Sequence, residues 1–155
     1  MARDQLSSHE LFSFLRPDEV TAISNVSQKI ELREGDAVFR SGDPAESLYA
    51  VLEGRISLRL PRDDGVSLQI EEISTGSLFG SCVCVDLSRY RLTAVCTADS
   101  KLLKISAAGL KRVMDDDLTV GYPMQRMISR TYFARYLETV SKLRSVAEAL
   151  PVTAG

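Results

Sequence analysis

From Val26 to Ile105 the chain never holds a helical period. Apolar residues alternate every second position in short runs, and each run breaks at a glycine or a polar turn. The runs are Ile30 to Leu32, Ala37 to Phe39, Leu48 to Leu52, Arg55 to Leu60, Val66 to Ile73 and Leu102 to Ile105. The breaks include Glu34-Gly35-Asp36, Gly42-Asp43-Pro44, Glu53-Gly54 and Asp63-Asp64-Gly65. Another strand ends at Phe79, and a further one starts beside Arg91. Many short strands joined by glycine turns predict a mainly β fold of the jelly-roll or barrel-like sandwich type.

Helical signals flank this stretch. Ser7-Ser8 ahead of His9-Glu10-Leu11-Phe12 reads as an N-cap and first turn, and Arg16-Pro17 stops that helix. Pro17-Asp18-Glu19-Val20 opens another, with proline at the first helical position and acids in the first turn. Beyond Ile105, Ser106 begins a short helix through Met114, closed by Asp115-Asp116-Asp117. A long helix is predicted from Pro123 to Leu150, on the order of 40 Å in length. Along it Phe133, Tyr136/Leu137, Val140, Leu143, Ala147 and Leu150 make one apolar stripe. The chain thus divides into an N-terminal helical segment (1–25), a β-roll (26–105), C-terminal helices (106–150) and a loose tail (151–155), all one domain.

Composition narrows the function. Of 155 residues, 45% are apolar and 26% charged, which is enough to bury a core. Nineteen basic residues against 21 acidic ones leave a net charge of −2, so a strongly basic nucleic-acid surface is not expected. No run approaches the about 20 apolar residues of a membrane-spanning helix, and the start lacks a secretory pattern. A soluble, cytoplasmic protein with no membrane partner is expected. Cys82, Cys84 and Cys96 form no CxxC pair or disulfide framework and read as small buried hydrophobes.

Catalytic signatures are missing. The only histidine is His9, which excludes a histidine-based triad unless that terminus folds into a site. No HExxH, Walker loop, GxSxG or paired metal-ligand motif occurs, and Asp115-Asp116-Asp117 reads as a solvated helix end. No enzyme, metal or cofactor is expected.

One constellation carries chemistry. In Gly76-Ser77-Leu78-Phe79-Gly80-Ser81-Cys82 a strand ends at Phe79, and Gly80 allows a tight turn into a short helix near Ser81. A helix start offers free N–H groups and partial positive charge to an anion. Arg91, on the next strand start, can place a guanidinium opposite them and complete a bidentate phosphate clamp.

The stretch from Gly35 through Ser41-Gly42-Asp43-Pro44 and Leu48-Tyr49-Ala50-Val51-Leu52-Glu53-Gly54-Arg55-Ile56 resembles the early strands of cyclic-nucleotide-binding domains. These are the domains of the catabolite activator protein and protein kinase A regulatory subunit superfamily. The resemblance covers nearly the whole chain. It implies an eight-stranded jelly roll with N-terminal helices, a short phosphate-cassette helix (cassette 79–95) and a long C-terminal helix. The family cassette reads Phe-Gly-Glu, a short helix, then Arg, small residues and Val. Phe79, Gly80, Arg91 and Val95 match it, with Leu92-Thr93-Ala94 between.

The resemblance implies that Arg91, Gly80 and the N–H groups of Cys82 and Val83 hold a cyclic phosphate. Ser81 stands where the family glutamate binds the ribose 2′-OH. Leu92 stands where bacterial relatives often carry a hydroxyl, with Thr93 one residue on. The final helix covers the base in the family, which makes Tyr132, Arg135 and Tyr136 lid candidates; core or solvated helix positions are the other reading of all three. The implied function is a stand-alone sensor of 3′,5′-cyclic AMP or GMP that signals through its C-terminal helix to an effector protein or a homodimer mate. Two alternatives stay open: a degenerate interaction or dimerisation module without nucleotide, and a sensor of another ligand such as haem or a different phosphorylated molecule. Direct DNA binding is not expected, because the chain stops where relatives begin a helix-turn-helix.

Overall fold

The computed structural model describes residues 12–13, 15–80 and 88–150. The helix expected ahead of Arg16 and the cassette helix expected after Gly80 lie largely or wholly outside the described residues, as does the tail. Eight strands are found among the described residues: β1 (Ser27–Leu32), β2 (Ala37–Phe39), β3 (Ser47–Glu53), β4 (Arg55–Pro61), β5 (Ser67–Ser74), β6 (Leu78–Gly80), β7 (Thr93–Cys96) and β8 (Ser100–Ser106). They form two four-stranded antiparallel sheets, ordered β1-β8-β3-β6 and β2-β7-β4-β5. The fold is the eight-stranded jelly roll with a long C-terminal helix.

Strand β3 shows how alternation becomes layering. Leu48, Ala50 and Leu52 face a core shared with the helices, whereas Tyr49 and Val51 face the core between the two sheets. Period two therefore supplies both faces of one buried strand. The helical core gathers Phe12, Val20, Ile23, Leu110, Met114, Met124 and Ile128 against the first sheet. The inter-sheet core holds Phe39, Tyr49, Phe79 and Tyr90, with Phe39 stacked on Tyr90 at a centroid distance of 3.7 Å.

Three helices are described. Helix α1 (Pro17–Ser24) starts at the expected proline, and its Glu19 carboxylate accepts the Arg16 N–H at 3.0 Å. Helix α2 (Ala107–Asp116) is capped by Ser106, whose hydroxyl accepts from the Gly109 N–H at 3.0 Å. Helix α3 (Leu118–Ala149) begins five residues earlier than Pro123, a correction with a clear cause. The Asp117 carboxylate accepts from both the N–H and the hydroxyl of Thr119, at 3.0 and 2.6 Å, and caps the helix there. Those bonds hold the Asp117 carboxyl below its ordinary range. Proline favours a first turn, but here Pro123 is carried inside the helix, where it gives up its own N–H bond and crowds the carbonyl of Thr119. Gly121 lets α2 and α3 close on each other, since a Cβ there would collide with the Met114 carbonyl oxygen.

Burial on α3 is one-sided along its length. Val120, Gly121, Met124 and Ile128 are buried, while every residue from Tyr136 onward is exposed. Among the described residues no helix is long and apolar enough to cross a membrane.

Candidate functional site

Arg91 sits in the loop before β7, and its backbone is held from both sides. Tyr90, one residue earlier, stacks on Phe39, donates its hydroxyl to the Ser47 carbonyl at 2.7 Å and accepts from the Ser47 N–H at 3.2 Å. Burial raises the Tyr90 phenol above its ordinary range, so it stays a neutral donor. The β2–β3 loop completes the clamp. Gly42 N–H donates to Tyr90 O at 2.8 Å, Tyr90 N–H donates to Asp43 O at 2.9 Å, and the Ser41 hydroxyl donates to Arg91 O at 3.2 Å. The turn sequence Ser41-Gly42-Asp43 thereby fixes where Arg91 leaves the roll. Its side chain is exposed and makes no hydrogen bond or ion pair among the described residues.

Arg91 and Leu92 line a cavity of about 310 Å³, with Gly80 at the end of β6 on the same wall. Gly80 has φ of +102°, and a Cβ there would lie 2.9 Å from Ser47 O, so this corner is built for glycine. The rest of the lining includes residues of β4, β5 and α3. Leu58 pairs with Glu71 and Arg59 with Gln69, which leaves Ile70 as an extra residue in a β-bulge. The bulge brings both Ile70 and Glu71 to the cavity. The Ile70 carbonyl accepts from Lys142 Nζ of α3 at 3.2 Å.

Helix α3 contributes Tyr132, Arg135 and Tyr136 to the cavity. Arg135 Nε lies 3.5 Å from Glu71 Oε1, and the two side chains are only 12% and 13% exposed. The Arg135 guanidinium also lies 5.2 Å from the Tyr132 ring centroid, within cation–π range. Burial pushes the Glu71 carboxyl above the usual range, the Arg135 guanidinium pulls it back, and Glu138 raises it again. Arg135 Nη2 is buried without a hydrogen-bond partner among the described residues. The Tyr132 hydroxyl reaches the Gly80 carbonyl at 3.5 Å, bringing α3 to the end of β6.

Six candidate residues from the sequence therefore meet at one cavity: Gly80, Arg91, Leu92, Tyr132, Arg135 and Tyr136. Thr93 is not among its lining residues; its hydroxyl accepts from the Ser41 N–H at 3.0 Å. Ser81, Cys82 and Val83 lie outside the described residues. Sequence reasoning passed over Glu71, Ile70 and Leu58. A signal for Glu71 existed, because two-residue spacing from the core residue Ile73 puts it on the same face. Elsewhere Cys96 is buried, and Asp115 pairs with Lys111 at 3.0 Å. No cluster of three metal-ligating side chains exists among the described residues.

Chemically, the cavity joins an exposed cation, an apolar wall, three tyrosines and a half-satisfied ion pair. That set suits an anionic ligand with a flat, hydrogen-bonding ring. Comparison with known proteins points the same way. Residues 29–117, more than half of the chain, match the family model described as the cyclic nucleotide-binding domain. The cyclic AMP receptor protein of Thermus thermophilus is 28% identical over 95 residues, covering 61% of this chain and 44% of that protein. Patatin-like phospholipase domain-containing protein 7 of Rattus norvegicus is 30% identical over 84 residues, covering 54% of this chain and 6% of that one. The chain thus spans less than half the length of either relative. A crystal structure of a cyclic nucleotide-binding domain from Methylobacillus flagellatus superposes with a TM-score of 0.77 at 16% identity, covering 99% of this chain and 85% of the other.

Proposed function

Because this chain belongs to the cyclic nucleotide-binding domain family, we propose that it is a non-enzymatic, cytoplasmic sensor that binds a 3′,5′-cyclic nucleotide and reports occupancy through α3. The observation that carries the reading is Arg91. A guanidinium with no partner among the described residues stands at a cavity that Gly80 and α3 also line. A cyclic phosphate at Arg91 gains charge-assisted hydrogen bonds, and Cys82 and Val83 would add backbone donors to it. The base would then lie against Tyr132 and Tyr136. Calorimetric titration of the 155-residue chain with cyclic AMP and cyclic GMP tests this. Saturable one-to-one binding of either nucleotide is the expected result. No heat and no change in Tm with either, at roughly 1 mM nucleotide, would overturn it.

One observation favours a second reading. The family's ribose-binding glutamate is replaced by Ser81, which removes a charged hydrogen bond worth about 1.5–3 kcal/mol. A module that has lost its nucleotide would keep the fold and the helix while failing the titration.

Either reading engages the exposed half of α3. Phe133, Leu137, Val140, Leu143, Ala147 and Leu150 recur at spacings of three and four and make one apolar stripe. Phe133 is 62% and Leu143 65% exposed in the single chain, so the stripe is uncovered. We propose that a second copy covers it, with an effector protein as the downstream partner. Sedimentation at about 50 µM is expected to show a dimer, and Leu143→Glu is expected to return a folded monomer whose Tm no longer depends on protein concentration. A wild-type monomer at that concentration would remove the homodimer.

A further inference from the structure

From the cavity wall formed by β5 and α3 we infer that Glu71 and Arg135 form a base-reading pair that selects guanine over adenine. The inference rests on the nucleotide-sensor reading and names which nucleotide that sensor takes. Two largely buried, oppositely charged side chains line a cavity of about 310 Å³, room for one mononucleotide. Burying such a pair is costly unless its remaining hydrogen-bonding capacity is met. Here it is not met. Arg135 Nη2 is buried without a hydrogen-bond partner among the described residues. Glu71 Oε1 faces Arg135 Nε at 3.5 Å, and Oε2 accepts no hydrogen bond among the described residues.

What is left without a partner among the described residues is one buried guanidinium nitrogen, next to a carboxylate that lines the same cavity. Guanine presents an acceptor, O6, beside two donors, N1–H and N2–H. Its two donors match a carboxylate bidentately and its O6 matches a guanidinium. Adenine offers one N6–H to Glu71 and one acceptor, N1, to Arg135, so it forgoes the second bond to the carboxylate. Glu71 faces the cavity by alternation from Ile73, the bulge adds Ile70 beside it, and Arg91 of the same cavity holds the phosphate in either case. Tyr132 and Tyr136 supply the stacking surface, which discriminates weakly between purines.

The test is a calorimetric panel of cyclic GMP, cyclic IMP and cyclic AMP on the full chain and on Glu71→Gln. Wild type is expected to prefer cyclic GMP over cyclic AMP by about ten- to a hundredfold, the value of one charged hydrogen bond. Cyclic IMP, which keeps N1–H and O6 but lacks the 2-amino group, should fall between them. Glu71→Gln is expected to bring cyclic GMP and cyclic AMP within about threefold of each other while cyclic AMP affinity is retained. The wild-type ratio needs no variant to be read. Equal or tighter binding of cyclic AMP by wild type overturns the base-reading pair and leaves the sensor reading standing. A guanine preference that survives Glu71→Gln also overturns it. Failure of all three nucleotides to bind overturns the sensor reading and this inference with it.

Discussion

Arg91→Ala is expected to weaken cyclic-nucleotide binding by about a hundredfold or more while leaving the fold unchanged. The affinity loss follows from removing both arms of a bidentate, charge-assisted contact to phosphate, each worth about 1.5–3 kcal/mol. Stability is expected to hold because the Arg91 side chain is exposed and makes no bond to the described residues. What anchors the loop is elsewhere: the Tyr90 ring on Phe39, its hydroxyl on Ser47, and backbone bonds to Ser41 and Asp43 that alanine retains. Calorimetry beside a thermal melt separates the two effects. Tm should stay within about 2 °C of wild type, as for an ordinary surface substitution. A variant that binds cyclic nucleotide as tightly as wild type would show that Arg91 is not the phosphate ligand.

Gly80→Ala should do the reverse and strike the fold first. At φ of +102° an L side chain is strained, at a cost of about 1–3 kcal/mol. The added Cβ would also lie 2.9 Å from the Ser47 carbonyl oxygen and 3.1 Å from the Tyr49 ring. Backbone carbonyl and stacked ring leave little room to yield, since Tyr49 packs on Phe79 at 5.2 Å between centroids. Differential scanning calorimetry is expected to show Tm lower by roughly 3–10 °C. Because Gly80 abuts the cassette and its carbonyl is the one Tyr132 reaches, nucleotide affinity should fall as well. A melt within about 1 °C of wild type, with binding intact, would mean that the β6 corner tolerates a side chain.

Much of the architecture was legible because it is written locally. Alternation within six or seven residues reports a strand, and glycine between two runs reports the turn, so β2, β3 and β4 emerge at nearly their observed bounds. Helix α3 shows where local signals compete. Proline at a first turn is a sound rule, but the Asp117 carboxylate capping Thr119 sets the start instead. At the cavity, Gly80 and Arg91 could be read because their motif spans a dozen residues. Glu71 could not be read as a site residue from its neighbours alone. Its partner Arg135 lies on another element, and the bulge at Ile70 is a property of how β4 and β5 pair rather than of either strand. Chemistry that depends on non-local register leaves only a faint trace, here an acid two residues from a core isoleucine.

The uneven burial of α3 gives that helix the proportions of a lever. Ile128 is locked in the core, Arg135 touches the cavity wall, and the helix runs on unburied to Ala149. Measured along the axis, Arg135 is about 10 Å and Ala149 about 30 Å beyond that fulcrum. A stiff rod pivoting there multiplies displacement about threefold, so a shift of about 1 Å at Arg135 arrives as about 3 Å at the far end. The threefold ratio is set by where full burial stops, at Ile128.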